Sequence, residues 1–138
     1  KKFYWLRIFY AYGPGQKKDS IIPYMINKIK KNRKLFIKNP NNHLDFIFVE
    51  DVATYFNKVI QISPRSGIYN VGSGNGIKIE KIFKILKLKI NKSYKYEIQK
   101  KTKDLKIFYS CNKKSIFNLS WKPKFNISEG LKKTIKFI

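Results

Sequence analysis

The chain has 138 residues, 31 of them basic and 8 acidic, for a formal charge of +23, and 43% of it is hydrophobic. That length fits one domain able to bury roughly two-thirds of the surface its unfolded form exposes. No apolar run approaches the ~18 residues of a membrane span and no signal-peptide pattern opens the chain. Cys111 is the only cysteine, which excludes an internal disulfide, so a reducing cytoplasm is expected.

The charge points toward polyanions, yet 28 of the 31 basic residues are Lys and only Arg7, Arg33 and Arg65 are Arg. Specific reading of phosphates and bases leans on the guanidinium fork, so this surface suits nonspecific attraction better than recognition. With 21 Ile but only Ala11 and Ala53 as alanines, the Lys and Ile excess matches what AT-rich codons encode.

In chain order, the aromatic-rich apolar run Trp5 to Tyr12 predicts a buried strand that exits into Gly13-Pro14-Gly15. Ile22, Met25, Ile26 and Ile29 recur at helical spacing, with Ser20 placed to cap the helix and Pro23 tolerated in its first turn. Leu35 to Lys38 predicts a short strand and Asp45 to Glu50 another. Asp51 is expected to cap a helix whose inward face is Val52, Phe56, Val59 and Ile60. A turn at Ser63 to Gly67 leads into a strand over Ile68 to Val71, ending at Gly72-Ser73-Gly74. Ile79, Ile82, Phe83, Leu86 and Ile90 form the next helical stripe. Tyr94 to Ile98 alternates like an edge strand, Asn112 to Leu119 reads as a short helix, and Asn126 to Glu129 offers a capping box for a last helix. Alternating strands and helices predict an α/β module with parallel pairing.

Four stretches carry a family resemblance: Leu6 to Gln16 (LRIFYAYGPGQ), Asp45 to Ala53 (DFIFVEDVA), Tyr69 to Gly74 (YNVGSG), and Leu119 to Pro123 (LSWKP) followed by Gly130-Leu131. In this order and at this spacing they resemble the C-terminal half of the NAD-dependent nucleotide-sugar epimerases and dehydratases, the extended short-chain dehydrogenase/reductase family. The resemblance implies the C-terminal part of a Rossmann-like parallel sheet plus a small α/β substrate-binding lobe, with residues 1–138 as a single module. In that family the dinucleotide fingerprint and the catalytic Tyr-x-x-x-Lys lie upstream of the first motif. A preceding dinucleotide-binding half is therefore expected, and the 138 residues alone are expected to be inactive.

Phe9 and Tyr10 close the first strand, where open α/β sheets present ligands, although an ordinary strand exit needs no more than the glycines that follow. The resemblance puts Phe9 beside the nicotinamide of NAD or NADP. Tyr10 falls where the family usually has an Asn that touches the sugar, a departure. Ser20 and Ile21 open the first helix, whose free amides suit an anion but equally suit a simple cap. The resemblance makes this segment a wall of the nucleotide pocket, with Phe36 and Lys38 contacting the nucleoside. Lys101 and Asp104 match a family Arg-x-x-Asp that reaches the diphosphate and the ribose, with Lys supplying charge without the fork. Leu44 departs most, because the family's Arg at this position grips the diphosphate. A neighbouring cation (His43 or Lys38) compensates, the diphosphate is held differently, or the protein is impaired. Asp45 is expected to support its loop, and the Gly72 to Gly76 stretch to be structural. His43 has no second His or Cys at metal-ligand spacing, so no metal is assigned.

The leading reading is the nucleotide-sugar-binding portion of an NAD(P)-dependent enzyme of surface-polysaccharide sugar supply. The resemblance implies a nucleotide-diphosphate sugar as partner and a homodimer for the full-length protein, while the composition leads us to expect no specific nucleic acid and no membrane. The alternatives are a basic polyanion- or nucleic-acid-binding module, resting on charge alone, and a decayed pseudoenzyme, resting on Tyr10 and Leu44.

Overall fold

The aromatic run at the amino end does not form one strand. It breaks at Phe9 into β1 (Tyr4–Ile8) and β2 (Tyr10–Tyr12), which join different partners. The computed structural model describes residues 1–99, 107–108 and 118–138. The elements that follow are α1 (Ile21–Lys30), β3 (Phe36–Lys38), β4 (His43–Phe48), α2 (Val49–Ile62) and β5 (Gly67–Val71). They continue with β6 (Gly76–Lys78), α3 (Ile79–Ile90), β7 (Glu97–Gln99), β8 (Ile107–Phe108) and α4 (Ile127–Phe137).

Pairing is mostly parallel, as alternating strands and helices predict. β1 runs parallel to β5, β2 to β4, β3 to β7, and β8 to β4. β6 is the exception. It pairs antiparallel to the start of β4, setting Leu44 opposite Ile77, where the sequence reading assigned no element. Three residues are too few to show a period of two, which is why periodicity missed it.

The alternation along β4 divides the core. Leu44, Phe46 and Phe48 face a cluster built from α1, α3, Leu35, Ile37, Tyr94 and Leu131. Ile47 faces a second cluster with Val52, Tyr55, Val59, Tyr69, Val71, Leu119 and Trp121. Tyr4 and Leu6 of β1 pack on that second cluster, whereas Trp5, on the opposite face, is 58% exposed. The expectation of a buried first strand therefore holds for one face only. A strand buried on both sides needs cover from two layers, and among the described residues only the α2 side provides it.

α2 corrects two expectations. Asp51 does not cap it, because Phe48 occupies the cap position and Asp51 lies inside the first turn. Its inward face is Val52, Tyr55 and Val59, while Phe56 and Ile60 are 41% and 75% exposed. The helix carries two apolar stripes, and the edge-on contact of Tyr55 with Trp121 at 4.8 Å selects which one turns inward. Spacing alone cannot make that choice.

Ser20 does occupy the cap position of α1, but its hydroxyl makes no capping bond. The capping box of α4 forms in full: Asn126 accepts from the Glu129 amide at 3.0 Å, and the Glu129 carboxylate accepts from the Asn126 amide at 2.9 Å. Gly130 lets α4 pack directly on β2 and β4. A Cβ there would lie 2.8 Å from Tyr12 Cζ and 3.0 Å from Phe48, so the helix could not approach as closely. The edge strand expected from Tyr94 is confined to β7. Tyr94 itself is buried ahead of it, its hydroxyl donating to the Arg33 carbonyl at 2.7 Å. Of the expected helix at Asn112 to Leu119, only Asn118 and Leu119 lie among the described residues, and both are helical.

Candidate functional site

Phe9 sits where β1 ends and the chain crosses from one sheet to the other. Its amide donates to the Val71 carbonyl at the end of β5 at 3.0 Å, and its carbonyl accepts from Ala11 at 2.7 Å. The two strands are parallel, so Phe9 lies at their shared carboxyl edge, where α/β sheets present ligands. Tyr10 pairs in register with Phe46, its ring 5.6 Å from that ring, and remains partly exposed.

The loop after β5 is held from below. Asp45 is fully buried and accepts from the Ser73 amide at 2.7 Å, from the Ser73 hydroxyl, and from the Gly74 amide at 3.0 Å. The amides a phosphate would need are thus committed to a carboxylate, in line with the structural role expected of this glycine stretch. Asp51 does the same for a second loop, accepting from the Lys124 amide at 2.8 Å and the Phe125 amide at 3.2 Å. Between these loops lies a cavity of about 670 Å³, floored by Phe46, Ile77 and Phe125. Of the described residues expected at a site, none lines it. Nearby, burial first and then Asp51 and Glu129 push the Tyr12 phenol well above its ordinary range, which keeps it neutral.

A second cavity, of about 460 Å³, gathers two of the expected residues. Ile21, the first residue of α1, and Phe36, in β3, line it together with Asp19, Tyr24, Met25, Leu35 and Ile37. Phe36 is 40% exposed and has the Lys34 ammonium 5.0 Å from its ring centre. Lys34 also pairs with Glu97 at 2.8 Å. Ser20 adjoins this cavity as the cap residue of α1. Lys38 ends β3, its backbone opposite Gln99. Lys101 and Asp104 lie outside the described residues. Sequence reading missed Asp19 and Tyr24. Their signal was adjacency: Asp19 directly precedes the cap, and Tyr24 stands one turn from Ile21.

Leu44 is part of the apolar core, opposite Ile77 and beside Phe108. An arginine in its place would have to carry its charge out of that core. Leu44→Arg is therefore expected to cost roughly 2–3 kcal/mol of stability, lost packing and desolvation outweighing any gained anion contact. Urea denaturation of the two proteins measures this, and an unchanged midpoint would show that the side chain escapes to solvent. His43 opens β4 half-buried, with Nδ1 buried and unpartnered.

A Tyr-x-x-x-Lys spacing does occur at Tyr24 and Lys28 on α1. Lys28 lies over the Tyr24 ring at 5.4 Å, an ordinary cation–π contact. With 9 Tyr and 28 Lys in the chain, the same spacing recurs at Tyr96–Lys100 and Tyr109–Lys113, so by itself it marks no site. Among the described residues no helix is long and apolar enough to cross a membrane.

The mostly parallel strand pairing, with helices alternating between the strands, defines a Rossmann-like α/β fold. Residues 2–72 match the NAD dependent epimerase/dehydratase family, and the chain belongs to it. CDP-abequose synthase of Salmonella muenchen is 31% identical over 134 residues, covering 94% of this chain and 46% of that protein. The dTDP-4-dehydro-6-deoxyglucose reductase of Escherichia coli is 29% identical over 143 residues, covering 96% and 44%. The solved structure of MoeE5 in complex with UDP-glucuronic acid and NAD matches with a TM-score of 0.86 at 20% identity, over 99% of this chain and 46% of that one. The chain thus spans about half the length of the curated relatives it matches.

Proposed function

We propose that this chain is the nucleotide-sugar-binding portion of an NAD(P)-dependent nucleotide-sugar epimerase, dehydratase or 4-keto-reductase. The observation that carries the reading is the cavity shared by Ile21 and Phe36. Two residues fifteen positions apart, each placed at the nucleotide pocket by the family resemblance, line one apolar space. Ser20 and the free amides of α1 stand at its edge.

In this reading Ser20 and Ile21 wall the nucleotide pocket, Phe36 and Lys38 contact the nucleoside, Lys101 reaches the diphosphate and Asp104 the ribose. Tyr10 faces the sugar. Phe9, at the carboxyl edge of β1 and β5, fits the place of a residue packed against a nicotinamide. The nicotinamide supplies hydride transfer to and from a sugar carbon. None of these residues is assigned the acid–base chemistry.

The test is calorimetric titration of the full-length protein with nucleoside diphosphates. Lys101→Ala should remove one charge-assisted contact and weaken binding about ten- to a hundredfold, or roughly 1.5–3 kcal/mol. Unchanged affinity would take Lys101 out of the site. Binding that responds to salt as steeply as a counterion-release reaction would favour the polyanion reading instead.

A further inference from the structure

Resting on the reading of the α1–β3 cavity as the nucleoside site, we propose that Asp19 selects the base, favouring one that presents an amino group, such as cytosine, over uracil or thymine. The cavity's walls are aliphatic at Ile21, Met25, Leu35 and Ile37 and aromatic at Tyr24 and Phe36. Such walls hold any flat ring, since every base has a π-face and stacking tolerates all of them. Discrimination must come from a polar group. Among the described residues lining the cavity, Asp19 is the only charged one.

An ionised carboxylate only accepts hydrogen bonds. Its complement is therefore a donor edge, and the exocyclic amine of cytosine is the donor an Asp or Glu accepts from in base recognition. Uracil and thymine place a carbonyl oxygen at the same ring position, which would meet the carboxylate lone pair to lone pair.

The charge balance supports the same role. Of 39 charged side chains in the whole sequence only 8 are acidic, and Asp19 has no ion pair or side-chain hydrogen bond among the described residues. A carboxylate beside a doubly phosphorylated ligand works against general affinity. Its effect is to penalise the wrong base, a repulsive element of the kind that produces specificity.

The test compares CDP with UDP by calorimetry on the full-length protein and on Asp19→Asn. These ligands differ in the ring only where cytosine carries its amine and adjacent acceptor nitrogen in place of uracil's carbonyl and N–H. The wild type should bind CDP at least about tenfold more tightly than UDP. Asp19→Asn, whose amide both donates and accepts, should bring the two affinities within about twofold of each other. Equal affinities in the wild type, or a ratio that survives Asp19→Asn, would overturn this inference and leave the nucleotide-sugar reading intact. Failure of the folded wild type to bind either diphosphate would overturn the reading of the cavity itself, and this inference with it.

Discussion

Replacing Asp51 with alanine should cost the fold roughly 3–4 kcal/mol, from two lost charge-assisted bonds and two backbone amides left without an acceptor. The carboxylate is 1% exposed and accepts from the amides of Lys124 and Phe125, seventy-odd residues away in sequence. A domain of this size has about 5–15 kcal/mol of stability in all, so such a loss is a large fraction of it. Urea denaturation measures it, as a shift in midpoint at constant slope. Asp51→Asn keeps one acceptor and turns a donor toward the other amide, so it should fall between wild type and alanine. A loss under about 1 kcal/mol for Asp51→Ala would show that solvent replaces the carboxylate and that the clasp is dispensable.

Trp121→Ala should be at least as damaging, at roughly 3–5 kcal/mol for a buried aromatic reduced to a methyl group. Trp121 is buried against the edge of Tyr55, and its indole N–H donates to the Thr54 hydroxyl at 3.1 Å. Trp121→Phe keeps most of the packing and loses the donor, so about 1–2 kcal/mol is expected. Trp121 and Asp51 hold the same connection to α4, one by packing and one by hydrogen bonds. Once either is lost the loop is already loosened. The double variant should therefore lose less than the sum of the two single losses. Strict additivity in the same denaturation experiment would show that the two anchors act on independent parts of the structure.

The contrast between Asp45 and Asp51 shows how far local sequence reaches. Asp45 was expected to support its loop, and it does so through Ser73 and Gly74. Asp51 was expected to cap its own helix, because a carboxylate just ahead of an apolar stripe is a common cap. Nothing within ten residues of Asp51 reveals the Lys124 and Phe125 amides that it serves. Phe56 and Ile60 failed for the same reason. Two stripes of α2 satisfy the helical period, and only the position of Trp121, brought in from far along the chain, decides which is buried.

By itself the sequence determined what depends on neighbours a few residues apart. The apolar stripes of α1 and α3, the capping box at Asn126 and Glu129, and the order of motifs that places the chain in its family all lie within short windows. The tertiary structure alone decided what depends on distant partners. The break at Phe9 arises because β1 bonds to β5 while β2 bonds to β4. Leu44 joins the core because β4 turns that face toward α1 and α3. Asp19, unremarkable in the sequence, lines a cavity only because α1 and β3 close one beside it. Periodicity and capping are set by backbone geometry over a few residues. Pairing, burial and cavity lining are set by contacts that form only once the whole chain has packed.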